Sequence, residues 1–114
     1  MQILVLEDDT TRATYFIERF GGHTLKIIEN AAEAIGLLTV NVFDLIFLDN
    51  DLGKDNGCGV DVAVFLNSES DNENNGATII IHSWNTPAAN TIQHLLPQAY
   101  FFPYNSNEFL LVAP

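Results

Sequence analysis

The chain has 114 residues, 47% of them hydrophobic, and a net charge of −11 from 15 acidic residues against 4 lysines and arginines. Length and apolar content suit one folded domain over 1–114, with a single core. The acidic balance excludes a nonspecific grip on nucleic acid, which needs clustered basic residues, and excludes docking on an anionic membrane surface.

In chain order, "ILVL" (3–6) predicts a first strand. Ala13, Phe16, Ile17 and Phe20 then follow i, i+3, i+4, i+7, the spacing of a helix with one apolar face, and Gly21 and Gly22 stop it. "LKII" (25–28) is a second strand. A second helix carries Ala31, Ala34, Ile35 and Leu38, with Asn30 as its cap and Glu33 three residues on. "FDLIFL" (43–48) is a third strand, and Val60, Val64 and Ala63 mark a weaker third helix. "SESDNENNG" (68–76) reads as a mobile, solvated loop. "TIII" (78–81) is a fourth strand, and Thr86 with Pro87 opens a fourth helix running to about Leu96. "AYFF" (99–102) is a fifth strand, and "NSNEFLLVAP" leaves room for a short last helix ended by Pro114.

Near-continuous apolar runs are typical of parallel strands covered on both faces. Their alternation with helices predicts an α/β fold: a doubly wound, five-stranded parallel sheet in the flavodoxin-like order 2-1-3-4-5. Cys58 is the lone cysteine, so no intrachain disulfide forms, and no segment approaches the roughly 20 apolar residues of a membrane span. "MQILVLEDD" also lacks the basic start of a signal peptide, so a soluble, cytoplasmic protein is expected.

Glu7, Asp8 and Asp9 follow the first strand, and Asp49 and Asp51 follow the third. In the predicted order these strands are neighbours whose carboxyl ends open into one crevice. Like charges gathered there destabilise one another unless a cation holds them, and oxygen-only ligation points to Mg²⁺ or Mn²⁺.

"ILVLEDD", "DLIFLDNDLG" and "IIIHS" resemble the sequence of a response-regulator receiver domain over about residues 2–105. The resemblance implies that Glu7 and Asp8 are the metal-binding pair, with Asp49 as phosphoacceptor and also a metal ligand. It implies that Asp51 offers a backbone carbonyl to the metal, and that Ser83 contacts the phosphoryl group. The pattern breaks at "YFFPY", where Phe102 stands in place of the receiver lysine. Neither Lys26 nor Lys54 occupies that position, and Gly53 replaces the usual proline after Leu52. "FLDNDLG" together with "HSWNTPAAN" is similar to a receiver-derived family that processes cyclic phosphates, such as those ending RNA fragments. The same stretch also looks like the Asp-x-Asp signature of haloacid dehalogenase-type phosphatases, but there the pair follows the first strand.

Two functions are therefore expected. The first is a metal-dependent phosphoesterase or cyclic phosphodiesterase acting on a small phosphorylated ligand or an RNA end. Asp49, Asp51 and His82 are its candidate catalytic residues, with Ser83 and Asn85 holding phosphate oxygens. The second is a stand-alone receiver or pseudo-receiver, acting through a protein partner on its helix 4–strand 5 face. His23 and His94 read as structural, Trp84 as a packed aromatic or a stacking lid, and Cys58 as no nucleophile. Asp55 and Asp61 read as solvent-facing.

Overall fold

In the computed structural model, residues 1–68 and 73–102 are described. The elements are β1 (Gln2–Leu6), α1 (Thr10–Phe20), β2 (Thr24–Ile28), α2 (Ala31–Val40), β3 (Leu45–Leu48), α3 (Gly59–Ser68), a 3₁₀ turn at Glu73–Gly76, β4 (Thr78–Ile81), α4 (Thr86–Leu95) and β5 (Tyr100–Phe101). All five strands pair in parallel in the order β2-β1-β3-β4-β5, as the sequence pattern predicts. The short last helix expected after β5 lies outside the described residues.

The apolar runs become strands because both faces of the sheet are covered. Leu4, Leu6, Ile46, Leu48, Ile79 and Ile81 pack with α2, α3 and α4 on one face. Ile3, Val5, Leu45, Phe47 and Ile80 pack with Phe16 and Phe20 of α1 on the other. β3 is buried along its whole length, whereas the edge strand β2 alternates and leaves Lys26 exposed. Burial of apolar surface between these strands and the helices, at about 25 cal/mol per Å², is the main favourable contribution to folding.

Three local readings change. Ile17 is 53% exposed, so α1 packs mainly through Phe16 and Phe20. Val64 is also exposed, and α3 buries Val62, Ala63 and Leu66, because the helix rotates that stripe towards the sheet. Glu73–Gly76, within the polar stretch, form a 3₁₀ turn, and Asn74 there is buried. Its Oδ1 accepts the Phe43 N–H at 2.6 Å, and its Nδ2 donates to the Leu38 carbonyl at 3.0 Å and the Asn41 carbonyl at 2.8 Å. One side chain thus satisfies the end of α2 and the approach to β3.

Candidate metal and phosphate site

Register decides which side chains meet. Leu6, Leu48 and Ile81 are aligned across the sheet. The ladder continues one residue further, through Asp49 N–H to the Leu6 carbonyl, His82 N–H to the Leu48 carbonyl and Phe102 N–H to the Ile81 carbonyl. Glu7, Asp49, His82 and Phe102 therefore form one row beyond the strand ends. Because faces alternate along a strand, that row shares the α1 face with Val5, Phe47 and Ile80.

Three polar members of the row are deeply buried: Glu7 is 1% exposed, Asp49 4% and His82 1%. Their potential donor atoms all lie within 4.8 Å of one another. His82 Nε2–H donates to Glu7 Oε1 at 3.0 Å, and Arg12 Nε–H donates to the same oxygen at 2.9 Å. Glu7 Oε2 accepts the Asp9 N–H at 3.1 Å. Burial alone would raise the Glu7 pKa, but the hydrogen bonds from His82 and Arg12 outweigh it and hold the carboxyl at about 2. Phe16 and Phe47 enclose the imidazole, their ring centroids 5.1 and 6.1 Å from it.

Asp49 is served less fully. Its Oδ1 accepts the Asn50 N–H at 2.8 Å, while its Oδ2 has no hydrogen bond and lies 3.6 Å from Arg12 Nη2. Burial pushes its pKa up to about 6, against the opposing pull of His82 and with the repulsion of Glu7 added. His82 Nδ1 likewise has no hydrogen-bond partner.

Around this buried row stands a more exposed rim. Asp8 is half-buried, 4.0 Å from Arg12 Nη2, and its pKa is raised by burial and by the Glu7 charge. Asp51 is exposed and accepts from Asn50 Nδ2 at 3.1 Å and Asn85 Nδ2 at 3.2 Å. Asn85, not Thr86, is the N-cap of α4: its Oδ1 accepts the Ala88 N–H at 3.1 Å. Ser83 is buried, and its Oγ accepts the Asn85 N–H at 3.1 Å. The β3–α3 and β4–α4 loops are thereby tied through one Asp51–Asn85 contact. A crevice of about 350 Å³ opens beside this rim between the ends of β1 and β2, bordered by Glu7, Asp8, Asp9, Glu29 and Glu33.

Two glycines fit the backbone to the site. Gly53 adopts φ +82°, which proline cannot reach, and a Cβ there would sit 3.4 Å from Asp8 Oδ2. This explains the departure from the receiver proline. At Gly59 a Cβ would run into the Asp49 carbonyl, so only glycine lets the start of α3 approach that strand end.

With the acidic row at the switch point between β1 and β3, the comparisons with known proteins can be placed. The family described as the cyclic-phosphate processing receiver domain matches residues 3–98. The chain belongs to this receiver family. Its fold is shared with the phosphorylated cyanobacterial phytochrome response regulator RcpA, at TM-score 0.73 and 19% identity, covering 96% of this chain and 84% of that one. A phosphorylated response regulator from Burkholderia pseudomallei, solved with calcium and citrate, gives TM-score 0.73 and 21% identity, covering 98% and 65%. The Mn²⁺-bound response regulator Rcp1 gives TM-score 0.69 and 20% identity, covering 95% and 84%. No curated protein matches the chain.

The position at which the resemblance implies a lysine holds Phe102. Phe102 is half-buried on the α1 face and stacks on Tyr100 at 5.7 Å between centroids. Arg12, from the first turn of α1, lies beside Asp49, its Nη2 3.6 Å from Oδ2. Sequence reasoning passed over Arg12, although its i, i+4 spacing from Asp8 was a usable signal. It also passed over Asn50, whose Oδ1 accepts the Val60 N–H at 3.2 Å and so fixes α3. Among the residues read as structural, His94 lies in the last turn of α4, and His23 Nδ1 lies 3.0 Å from the amino terminus. Asp55 and Asp61 are exposed, Asp61 accepting the Cys58 N–H at 3.0 Å, and Trp84 is 62% exposed. Among the described residues, no helix is long and apolar enough to cross a membrane.

Proposed function

We propose that this receiver domain holds Mg²⁺ or Mn²⁺ on Glu7, Asp8 and Asp49 and processes a cyclic phosphate or related phosphoester, a terminal cyclic phosphate of RNA being the substrate the family description suggests. The observation that carries this reading is Asp49: a buried carboxylate whose Oδ2 has no hydrogen bond, beside the buried Glu7 carboxylate. A fold tolerates an unsatisfied buried oxygen where a ligand completes it. The group within 4.8 Å is Glu7, Asp49 and His82, with the half-buried Asp8 on the rim beside it, and its two carboxylates with a nearby imidazole are compatible with Mg²⁺ or Mn²⁺. Such an ion, when bound, would withdraw charge from the phosphate.

The chain's own groups then divide the remaining work. Asp51 reaches solvent at the rim and is the candidate to move a proton to or from water or the leaving ribose oxygen. His82 acts through Glu7, fixing the orientation of that carboxylate from below. Ser83 and Asn85 frame the phosphate oxygens, the Asn85 amide already presenting its hydrogens at the Asp51 side of the rim.

The test is incubation with Mg²⁺ and an oligonucleotide ending in a 2′,3′-cyclic phosphate. Wild type opens the ring, Asp49→Asn loses roughly 100-fold or more, and Asp51→Asn loses roughly 10- to 100-fold. No ring opening, or equal rates in these variants, would overturn the reading. A signalling alternative, with phosphate accepted on Asp49 and a protein partner on the α4–β5 face, draws support from Trp84 and Tyr100, which are 62% and 41% exposed. Beryllofluoride shifting NMR signals at Asp49, Ser83 and those two aromatics, without ring opening, would favour it.

A further inference from the structure

The crevice between the ends of β1 and β2 holds about 350 Å³, within the span of small-molecule sites, which begins at about 300 Å³. Two kinds of side chain border it. Ala13 of α1 and the half-buried Ile27 and Ile28 of β2 give it an apolar wall. Glu7 and Asp8 close it on one side, and the exposed Glu29 and Glu33 border it from the end of β2 and the first turn of α2. Among the described residues that border it, none is a lysine or arginine. Carboxylates alone mark no ligand. This crevice, however, shares Glu7 and Asp8 with the set assigned above to a divalent ion, and Asp49 of that set keeps a buried oxygen without a hydrogen bond. A phosphoester held by that set has the crevice beside it, ready for the part of the molecule that does not react.

The lining separates two forms of a nucleoside that ends in a 2′,3′-cyclic phosphate. In the free mononucleotide, base and sugar are uncharged and the 5′-hydroxyl donates a hydrogen bond, which a carboxylate accepts. At an RNA end the same 5′ oxygen belongs to the next phosphodiester, which has no hydrogen to donate and brings a second negative charge. Against Glu29 and Glu33 that charge is repelled, and no basic residue borders the crevice to offset it. The place of Glu29 agrees. In doubly wound sheets that bind dinucleotides, an acidic residue about 20 positions past the glycine-rich first turn accepts a ribose hydroxyl. Glu29 directly follows β2, the strand paired with β1.

We propose that Glu29 and Glu33 determine specificity: the crevice takes the nucleoside of a free nucleoside cyclic monophosphate, its 5′-hydroxyl donating to one of these carboxylates, in preference to an RNA end. This rests on the metal and phosphoester reading and narrows its substrate class. An RNA end is still processed, but more slowly, because its next phosphate meets the same two carboxylates.

Adenosine 3′-monophosphate and adenosine 3′,5′-bisphosphate have no ring to open and differ only at the 5′ oxygen. Calorimetry in saturating Mg²⁺ is expected to show the first bound roughly tenfold more tightly by wild type. The gap should narrow in high salt and close in the double variant Glu29→Gln, Glu33→Gln. Backbone amide signals of Ala13, Ile27 and Ile28 should move in NMR spectra as the monophosphate binds. Ring opening should follow the same order, with kcat/KM for adenosine 2′,3′-cyclic monophosphate roughly tenfold above that for an oligonucleotide with the same end. Equal affinities in wild type, a gap that the double variant leaves intact, or unmoved signals at those three residues would overturn the proposal. If one of these is found while wild type still opens the oligonucleotide's ring, the crevice assignment alone fails and the enzymatic reading stands. If neither probe binds and no ring opens, the metal and phosphoester reading fails and the proposal with it.

Discussion

Among the described residues two polar clusters are buried, and they are treated in opposite ways. At Asn74 the carbonyl oxygen accepts one backbone N–H and the amide donates to two carbonyls, so the burial is matched by hydrogen bonds. At the carboxyl ends of β1, β3 and β4, Asp49 Oδ2 and His82 Nδ1 lack such partners, and two carboxylates share the space. The first cluster is complete as folded and fastens α2 to the sheet. The second costs stability as it stands, which is how a site behaves when its shape is set by something it has yet to bind.

Substitutions that remove one cluster should therefore lower stability, and those that relieve the other should raise it. The largest effect is expected at Asn74→Ala, which strands the Phe43 N–H and two carbonyls and should cost about 2–4 kcal/mol in denaturant unfolding. An effect under 1 kcal/mol would remove the distinction between the clusters.

Asp49→Asn should move in the other direction. The folded pKa of about 6 exceeds the ordinary 3.8, so the folded chain binds more protons than the unfolded one between those values. This residue's contribution to stability is thus favourable at low pH, falls as pH rises from about 4 to about 6, and is fully unfavourable above that. Removing the charge should raise stability at pH 7 by about 1–3 kcal/mol and flatten the profile in that window. Glu7 has the opposite sign: its carboxyl is held at about 2, so its contribution is present above the ordinary 4.5 and is lost as pH falls towards 2. A profile for Asp49→Asn that parallels wild type from pH 4 to 6 would show that Asp49 carries no such penalty.

The smallest change is expected at Asn85→Ala. Loss of the α4 cap should cost about 1 kcal/mol, and loss of the Asp51 contact should alter the exchange of backbone amides in both loops. Unchanged amide exchange at residues 50–53 would show that the tie between the loops is unimportant.

The sheet was legible because its signal is local and strong. Runs such as "LIFL" and "TIII" allow little else, and alternation with helices fixes the parallel order. The meeting of the strand tips was legible too, since strand order brings Glu7 and Asp49 together. The helix faces were less so: Ile17 and Val64 satisfy an i, i+3, i+4 pattern equally well pointing outwards, and only docking decides. Arg12 and Asn74 were hidden for a different reason. Each is an ordinary polar residue whose role exists only once a distant element arrives, the β3 end at Arg12 and the Phe43 backbone at Asn74. His82 lies between these cases. Its position at the end of β4 was readable, but its hydrogen bond to Glu7, 75 residues away in sequence, belongs to the register.

The central claim is that the incomplete cluster awaits a hard divalent ion, and titration of Mg²⁺ into the wild-type chain by calorimetry tests it most directly. The account predicts one ion bound at millimolar concentration or below, with a matching rise in melting temperature, and loss of both in Asp49→Asn. No heat of binding and no change in melting temperature at millimolar Mg²⁺ would contradict it.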